Sequence, residues 1–223
     1  MTYNQNFYNE LERGSYNSAK IIVPSILELV KPKSVVDVGC GTGIWLRRFL
    51  ENNISEVYGV DYWTSKERVR LKIPKSLFLN HNLENPLKLK RKFDCALSLE
   101  VAEHISPRKA RVYIQNLVKL APIVVFSAAL PYQGGTNHIN EQWPFYWSTI
   151  FADFSYKAFD CFREKLWVND VVEWWYAQNM LLFVKDAYLG THLKLAKTLG
   201  KPVEIINPLI HPSNSGSMKK FRL

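Results

Sequence analysis

The chain has 223 residues, 47% of them apolar, and a formal net charge of +9. That is enough apolar sequence for one full globular core, with or without an appendage. It contains no run of about 18 apolar residues to span a bilayer, and its Asn-rich N-terminus carries no signal-peptide-like apolar stretch.

In chain order, the first expected element is a helix over 18–30, started or kinked at Pro24. Residues 34–38 (Ser-Val-Val-Asp-Val) form a short β-branched run with one acid, Asp37, the pattern of a strand buried on both faces. Gly39, Gly41 and Gly43 follow, and they allow a tight turn and a close approach of backbone to ligand. Cys40 sits inside that turn, where a small residue fits. Ile44, Trp45, Leu46, Phe49 and Leu50 then recur at helical spacing, so the turn delivers its amides to a helix N-terminus. A second strand over 56–60 ends at Asp61, about 20 residues past the glycines, where a carboxylate can accept from both hydroxyls of a ribose.

Further strands are expected over 76–80, 93–98 and 123–126. Between the last two, Ser106-Pro107 marks a helix start, with Val112, Ile114, Leu117, Val118 and Leu120 as its apolar positions. Residues 156–162 and 180–184 supply the last two strands. This alternation specifies an α/β, Rossmann-like doubly wound sheet of seven strands, with ligands at the C-terminal strand ends. One domain is expected over 1–185. The extension over 186–223 carries one weak helical pattern and then a Pro-, Ser- and Gly-rich stretch, and is expected to be partly helical or loosely ordered.

The glycine turn with Asp61 places an adenosine-bearing cofactor. A dinucleotide fingerprint would need a third glycine at Ile44 or Leu46, and a P-loop would need Gly-Lys-Ser/Thr; neither is present. Asp37-x-Gly39-x-Gly41-x-Gly43 instead resembles motif I of the class I S-adenosylmethionine-dependent methyltransferases. Ser98-Leu99-Glu100-Val101-Ala102-Glu103-His104-Ile105 looks like a segment of their small-molecule branch. The block from Phe126 to Pro144 is similar to bacterial and phage members found beside glycan-synthesis genes. The resemblance covers most of 1–185. It implies a mostly parallel sheet ending in an antiparallel strand and S-adenosylmethionine as cofactor, with Asp37 linked to its methionine part and Asn82 near its adenine amino group. Gly39, Cys40, Gly41, Gly43, Asp61, Tyr62, Leu83, Leu99 and Glu100 complete the expected cofactor site. Tyr8 and Tyr16, ahead of the first helix, are placed to close over it.

Methyl transfer from a sulfonium needs alignment and a nucleophile relieved of its proton. His138, in a polar Gly-rich loop after the fifth strand, is the first candidate base, and Glu141 can orient it or bind acceptor hydroxyls. The alternative is that both only tie down the loop. In a helix, Glu100, Glu103 and His104 would share one face and could hold Mg²⁺ or another hard divalent ion. The segment resembles quinone-biosynthesis O-methyltransferases in which a related arrangement is a metal site. His104 can equally act on the acceptor or pack structurally.

Trp143, Tyr146, Trp147, Trp167, Trp174, Trp175 and Tyr176 crowd the last third, as core or as stacking surfaces for a sugar or a flat phenolic acceptor. Lys66, Arg68, Arg70, Lys72, Lys75, Lys88, Lys90, Arg91 and Lys92, with Lys219, Lys220 and Arg222, form a basic set. It reads as a solvated rim before a nucleic-acid or anionic-membrane surface. Cys40, Cys95 and Cys161 are scattered and without metal-site spacing, so a reducing cytoplasm is the expected compartment. Asn/Asp-Pro-Pro-Tyr and Pro-Cys are both missing after the fourth strand, which argues against methylation of base amines and of cytosine C5. The expected activity is O-methylation of a sugar or glycan hydroxyl, with an RNA ribose methyltransferase or a catalytically silent cofactor-binding scaffold as alternatives.

Overall fold

The computed structural model describes residues 5–64, 70–204, 206–214, 216 and 219–220, without the side chains of 5–11. The first helix, α1, runs Gln5–Val30 with Pro24 inside it. It starts well before the expected residue 18 because Ser18 does not cap it. The Ser18 hydroxyl donates to the Gly14 carbonyl (2.9 Å) and accepts the Glu173 amide (2.9 Å), a tertiary contact made from mid-helix. Ala19, Ile22, Val23 and Ile26 are fully buried and hold the helix on the sheet.

Seven strands follow in the spatial order β3-β2-β1-β4-β5-β7-β6. They are β1 (Ser34–Val38), β2 (Glu56–Asp61), β3 (Phe78–Asn80), β4 (Cys95–Leu99), β5 (Ile123–Ser127), β6 (Tyr156–Phe159) and β7 (Leu181–Lys185). The pairs among β1 to β5 are parallel, and β7 runs antiparallel to both β5 and β6. β3 is shorter than expected because Lys75–Leu77 forms a 3₁₀ turn ahead of it. The order reverses between β1 and β4, and in such sheets that crevice is where ligands bind.

Both faces are covered. On one lie α1, α2 (Ile44–Glu51), α5 (Arg163–Leu166) and α6 (Trp174–Asn179). On the other, α3 (Ala110–Leu120) and α4 (Pro144–Ala152) bury Phe151 against Phe183, with ring centroids 3.9 Å apart. Every position of β1, β4 and β5 is buried, as expected of strands covered on both sides.

Beyond β7 the extension forms α7 (Asp186–Thr191) and α8 (Leu193–Leu199). Its Pro- and Ser-rich stretch then packs back on the domain. The Val203 amide donates to the Ala158 carbonyl (2.8 Å), Arg163 donates to the Asn207 carbonyl (3.0 Å), and Ile206 and Asn214 are buried. No described helix is long and apolar enough to cross a membrane.

Tyr113 of α3 ties the end of β1 to β4. Its hydroxyl donates to the Val38 carbonyl (3.0 Å), so the Ser98 hydroxyl, 2.7 Å away, donates to it. Tyr113→Phe strands both buried partners and should cost about 1–2 kcal/mol of unfolding free energy, measured by urea denaturation.

Candidate active site

At the end of β1 the chain turns through Gly39, Gly41 and Gly43 with φ of 91°, 52° and 81°. Two of these glycines are needed for different reasons. A Cβ on Gly39 would lie 2.4 Å from a Val101 methyl, whereas a Cβ on Gly41 would meet nothing within 4 Å. Gly39 is packed, and Gly41 faces open space. The Gly39 amide donates to the Val60 carbonyl (2.7 Å) and the Gly41 amide to Asp61 Oδ2 (2.6 Å), while the Tyr62 amide donates to Asp61 Oδ1 (2.6 Å). The turn is thus anchored on β2 by the carboxylate expected to bind ribose. Gly43 is the N-cap of α2.

Asp37 lies beneath the turn, 2% exposed, and burial with the neighbouring Asp61 pushes its carboxyl well up. Burial raises the Cys40 thiol well above its usual range, which disfavours the thiolate form a nucleophile needs. On the β2–β3 side, the Asn80 side chain pairs with the Trp63 backbone, the Asn82 carbonyl oxygen accepts the Glu84 amide (2.9 Å), and Leu83 is buried. Tyr62 is largely exposed. The turn, the segment after β4 and the loop after β5 enclose a cavity of about 610 Å³, which Leu99, Glu100, Trp174, Trp175 and Tyr176 also line.

The Tyr16 side chain does not reach this cavity. It lies on the α2 side of α1, its hydroxyl 3.3 Å from Glu51 and its ring among Lys20, Arg47 and Arg48. Tyr16 does not precede the first helix but lies within it, and its neighbours Glu12 and Ser15 line the cavity instead. Tyr8 belongs to the same helix, with its side chain outside the described residues.

Glu100, Glu103 and His104 do not share one helical face, because only Ala102–His104 is helical, as a single 3₁₀ turn. Glu100 precedes it in a left-handed conformation (φ 55°) and turns away. Its carboxylate accepts from Asn179 Nδ2 (3.1 and 3.3 Å) and Gln133 Nε2 (3.0 Å). Burial pushes Glu100 up to about 7, against the opposing hydrogen bonds of Asn179, Ser127 and Gln133.

Glu103 and His104 instead meet His138. One ligand atom from each of Glu103, His104 and His138 lies within 4.8 Å of the others, the geometry of a possible cation site. Glu103 is fully buried, neither carboxylate oxygen has a hydrogen-bond partner, and Oε1 is 3.9 Å from His138 Nε2. Burial, then the Glu100 charge, raises its carboxyl well above the usual range. The His104 and His138 rings pack edge to face at 4.9 Å, and burial followed by His138 lowers the affinity of His104 for a proton.

Glu141 lies against His138. Its Oε1 lies 3.0 Å from His138 Nδ1 and accepts the Gly134 amide (2.8 Å), while Oε2 accepts the Tyr132 amide (2.8 Å). A carboxylate that only accepts places the imidazole proton on Nδ1 and leaves the Nε2 lone pair toward Glu103 and the cavity. His104 Nδ1 likewise donates to the Asn137 carbonyl (3.2 Å). The loop is pinned where the Glu103 carbonyl accepts the Ile139 and Asn140 amides (2.9 and 3.0 Å). Gln133 and Asn179 escaped the sequence reading, because a lone amide side chain carries no periodicity or spacing signal.

Trp147 is core, its ring tilted against Phe126 and edge to face with Tyr146. Lys88, Lys90, Arg91 and Lys92 are exposed just before β4, at the end of the sheet opposite the cavity. Lys66, Arg68 and Arg222 lie outside the described residues. Among the described residues no lysine or arginine lines the cavity.

A doubly wound sheet with a glycine turn and an acid at the end of β2 defines a class of nucleoside-cofactor-binding folds. A methyltransferase-domain family model matches residues 15–179, and the chain belongs to that methyltransferase family. No curated protein matches it. Three solved structures share the fold. Streptomyces venezuelae DesVI is 10% identical, with 83% of this chain and 100% of that one covered and a TM-score of 0.60. CalS10 from Micromonospora echinaspora, an amino pentose methyltransferase solved with S-adenosylmethionine, is 13% identical over 83% and 98% of the two chains, at 0.57. The small RNA methyltransferase HEN1 is 16% identical over 76% of this chain and 25% of that one, at 0.54.

Two outcomes follow from this geometry. A Cβ on Gly135 (φ 144°) would lie 2.3 Å from His138 Nε2, so Gly135→Ala must displace the imidazole and should lower turnover at least tenfold without unfolding the protein, read by kinetics beside circular dichroism. For Asp37, Glu100 and Glu103, all raised in the fold, the folded state keeps protons that the unfolded chain releases near 4 to 4.5. The ligand-free protein should therefore lose stability as pH rises from about 5 to about 7, partly offset by His104, whose shift acts in the opposite sense. A Tm that climbs across that window would contradict the assignment.

Proposed function

We propose that the protein is an S-adenosylmethionine-dependent O-methyltransferase acting on a hydroxyl of an uncharged ring, a sugar or glycan unit. The observation that carries this reading is His138, held by Glu141 with its Nε2 lone pair toward the cavity beside the glycine turn. S-adenosylmethionine supplies an electrophilic methyl carbon; the chain supplies binding, orientation and a proton acceptor. Asp61 and the open backbone at Gly41 fit the ribose of the cofactor, and Asp37 and Glu100 are the acids on the side of its methionine part. His138 Nε2 takes the acceptor proton, and Glu141 stabilises the imidazolium that forms.

The lining supports a neutral acceptor. Trp174 and Trp175 offer ring faces, and among the described residues no cationic lysine or arginine is present to meet a phosphate. The acceptor of CalS10, an amino pentose, is likewise a sugar, though one that carries an amine. RNA, the acceptor class of HEN1, would find Lys72, paired with Glu12 (2.8 Å), and Lys220, over the Tyr132 ring, at the cavity rim, while the basic residues before β4 lie at the far end of the sheet. All three cysteines are free, which suits a reducing cytoplasm.

A second reading rests on the unpartnered Glu103 oxygens: Glu103, His104 and His138 hold a divalent cation such as Mg²⁺, and His138 serves as ligand in place of base. Glu100 is not part of that set.

Methyl transfer should be screened against sugars, nucleotide sugars, phenols and RNA. Asp61→Ala and Gly41→Val should abolish S-adenosylmethionine binding by calorimetry, and unchanged affinity in both would sink the cofactor assignment. His138→Ala should cut turnover roughly tenfold or more with cofactor affinity nearly intact. Loss of activity in EDTA with recovery on adding Mg²⁺ selects the cation reading, and EDTA-insensitive turnover selects the base. Binding without turnover on every acceptor would favour a scaffold.

A further inference from the structure

The buried side chains that the methyl-transfer chemistry leaves unused converge on one residue, Gln178. It is fully buried at the end of α6, and its amide faces two ways. Its Nε2 donates to Gln133 Oε1 (2.9 Å) and Asn179 Oδ1 (2.9 Å). Gln133 and Asn179 in turn donate to the Glu100 carboxylate in the cavity wall. On its other side, Gln178 Oε1 accepts the His211 amide (2.9 Å) and Asn214 Nδ2 (3.1 Å). Both donors come from the C-terminal extension, beyond the residues matched by the methyltransferase family model.

The extension is built for this contact. Asn214 is fully buried, and its amide donates to the His211 carbonyl (2.8 Å). The Ser213 amide donates to His211 Nδ1 (3.2 Å), so Nε2 carries the imidazole proton and donates it to the Trp167 carbonyl (3.0 Å). The ring so fixed lies nearly parallel to Trp174, which lines the cavity (centroids 6.5 Å, 20°).

We propose that residues 206–214 are a working part of the active site, in which His211 and Asn214 are positioning residues that set Gln133 and Glu100 through the Gln178 amide. The proposal rests on reading this cavity as the methyl-transfer site. An amide in such a chain has a single satisfied orientation, because reversing it would set acceptor against acceptor toward Gln133 and Asn179 and donor against donor toward His211 and Asn214. Removing the tail's donors frees Gln178 to rotate, and Gln133 then loses its hold on Glu100.

The test uses the full chain with Asn214→Ala and Gln178→Met, each checked for an unchanged circular dichroism spectrum. Asn214→Ala should lower kcat/KM for S-adenosylmethionine roughly tenfold, because Glu100 stands on the side of the cofactor's methionine part. Its effect should be non-additive with Gln133→Ala in a double-mutant cycle. Independent of any acceptor, the carbon-13 carboxyl titration of Glu100 should move upward in Gln178→Met and Asn214→Ala as the Gln133 hydrogen bond weakens. A Glu100 titration unmoved in both variants overturns the proposal, as does strict additivity of Asn214→Ala with Gln133→Ala. A shifted titration in a protein that turns over no acceptor would uphold the relay and reject the enzyme reading instead.

Discussion

The backbone must leave β1 and enter α2 within residues 39–43, and it does so only because three glycines there adopt positive φ. The Gly41 amide then falls 2.6 Å from Asp61, which fastens the turn to the end of β2. Everything at the site is measured from that fastening. Gly39 lets Val101 pack against the turn, and Val101 leads into the 3₁₀ turn that carries Glu103 and His104. One contact between an amide and a carboxylate thus sets the distance between the glycine turn and the Glu103–His104–His138 cluster across the crevice.

Legibility followed the range of the interactions. The buried strands and the turn were readable because their signals, β-branched runs and spaced glycines, act through the local backbone. α1 starts ahead of residue 18, and Ser18 lies mid-helix with its hydroxyl engaged by the Glu173 amide from far along the chain. The expected face of Glu100, Glu103 and His104 failed for a related reason. Ser127 and Asn179 hold Glu100 in a left-handed conformation that no helix can contain. His138 and Glu141 were legible as a pair by spacing, but their juxtaposition with Glu103 depends on a loop closure that spacing does not express. The ordering of the extension was hidden in the same way: its Pro- and Ser-rich composition resembles loose chain, yet its polar groups are satisfied by partners in α5 and α6.

The molecule separates its charges. Its formal net charge is +9, but the cavity wall carries the buried acids Glu100 and Glu103. Buried acids with raised proton affinity weaken the empty fold toward neutral pH, and a cationic guest such as a sulfonium or a metal ion relieves that cost by favouring their ionised forms. Stability and binding are linked through the same carboxyls, so they cannot be optimised independently. Left-handed non-glycine residues concentrate here as well, at Glu100, Tyr132 and Asn137, where the surrounding hydrogen bonds hold a conformation the residues alone would avoid.

The Glu103 carbonyl, shared by the Ile139 and Asn140 amides, joins the loop after β5 to the segment after β4 at a single oxygen. That junction makes the loop a poor module for exchange. A chimera that imported residues 128–143 from a relative would need the recipient's chain to place a carbonyl at the same point and an amide like Gln178 behind it. Changes in acceptor choice within this scaffold are therefore expected to arise by replacement of single side chains on a retained loop, rather than by recombination of the loop as a unit.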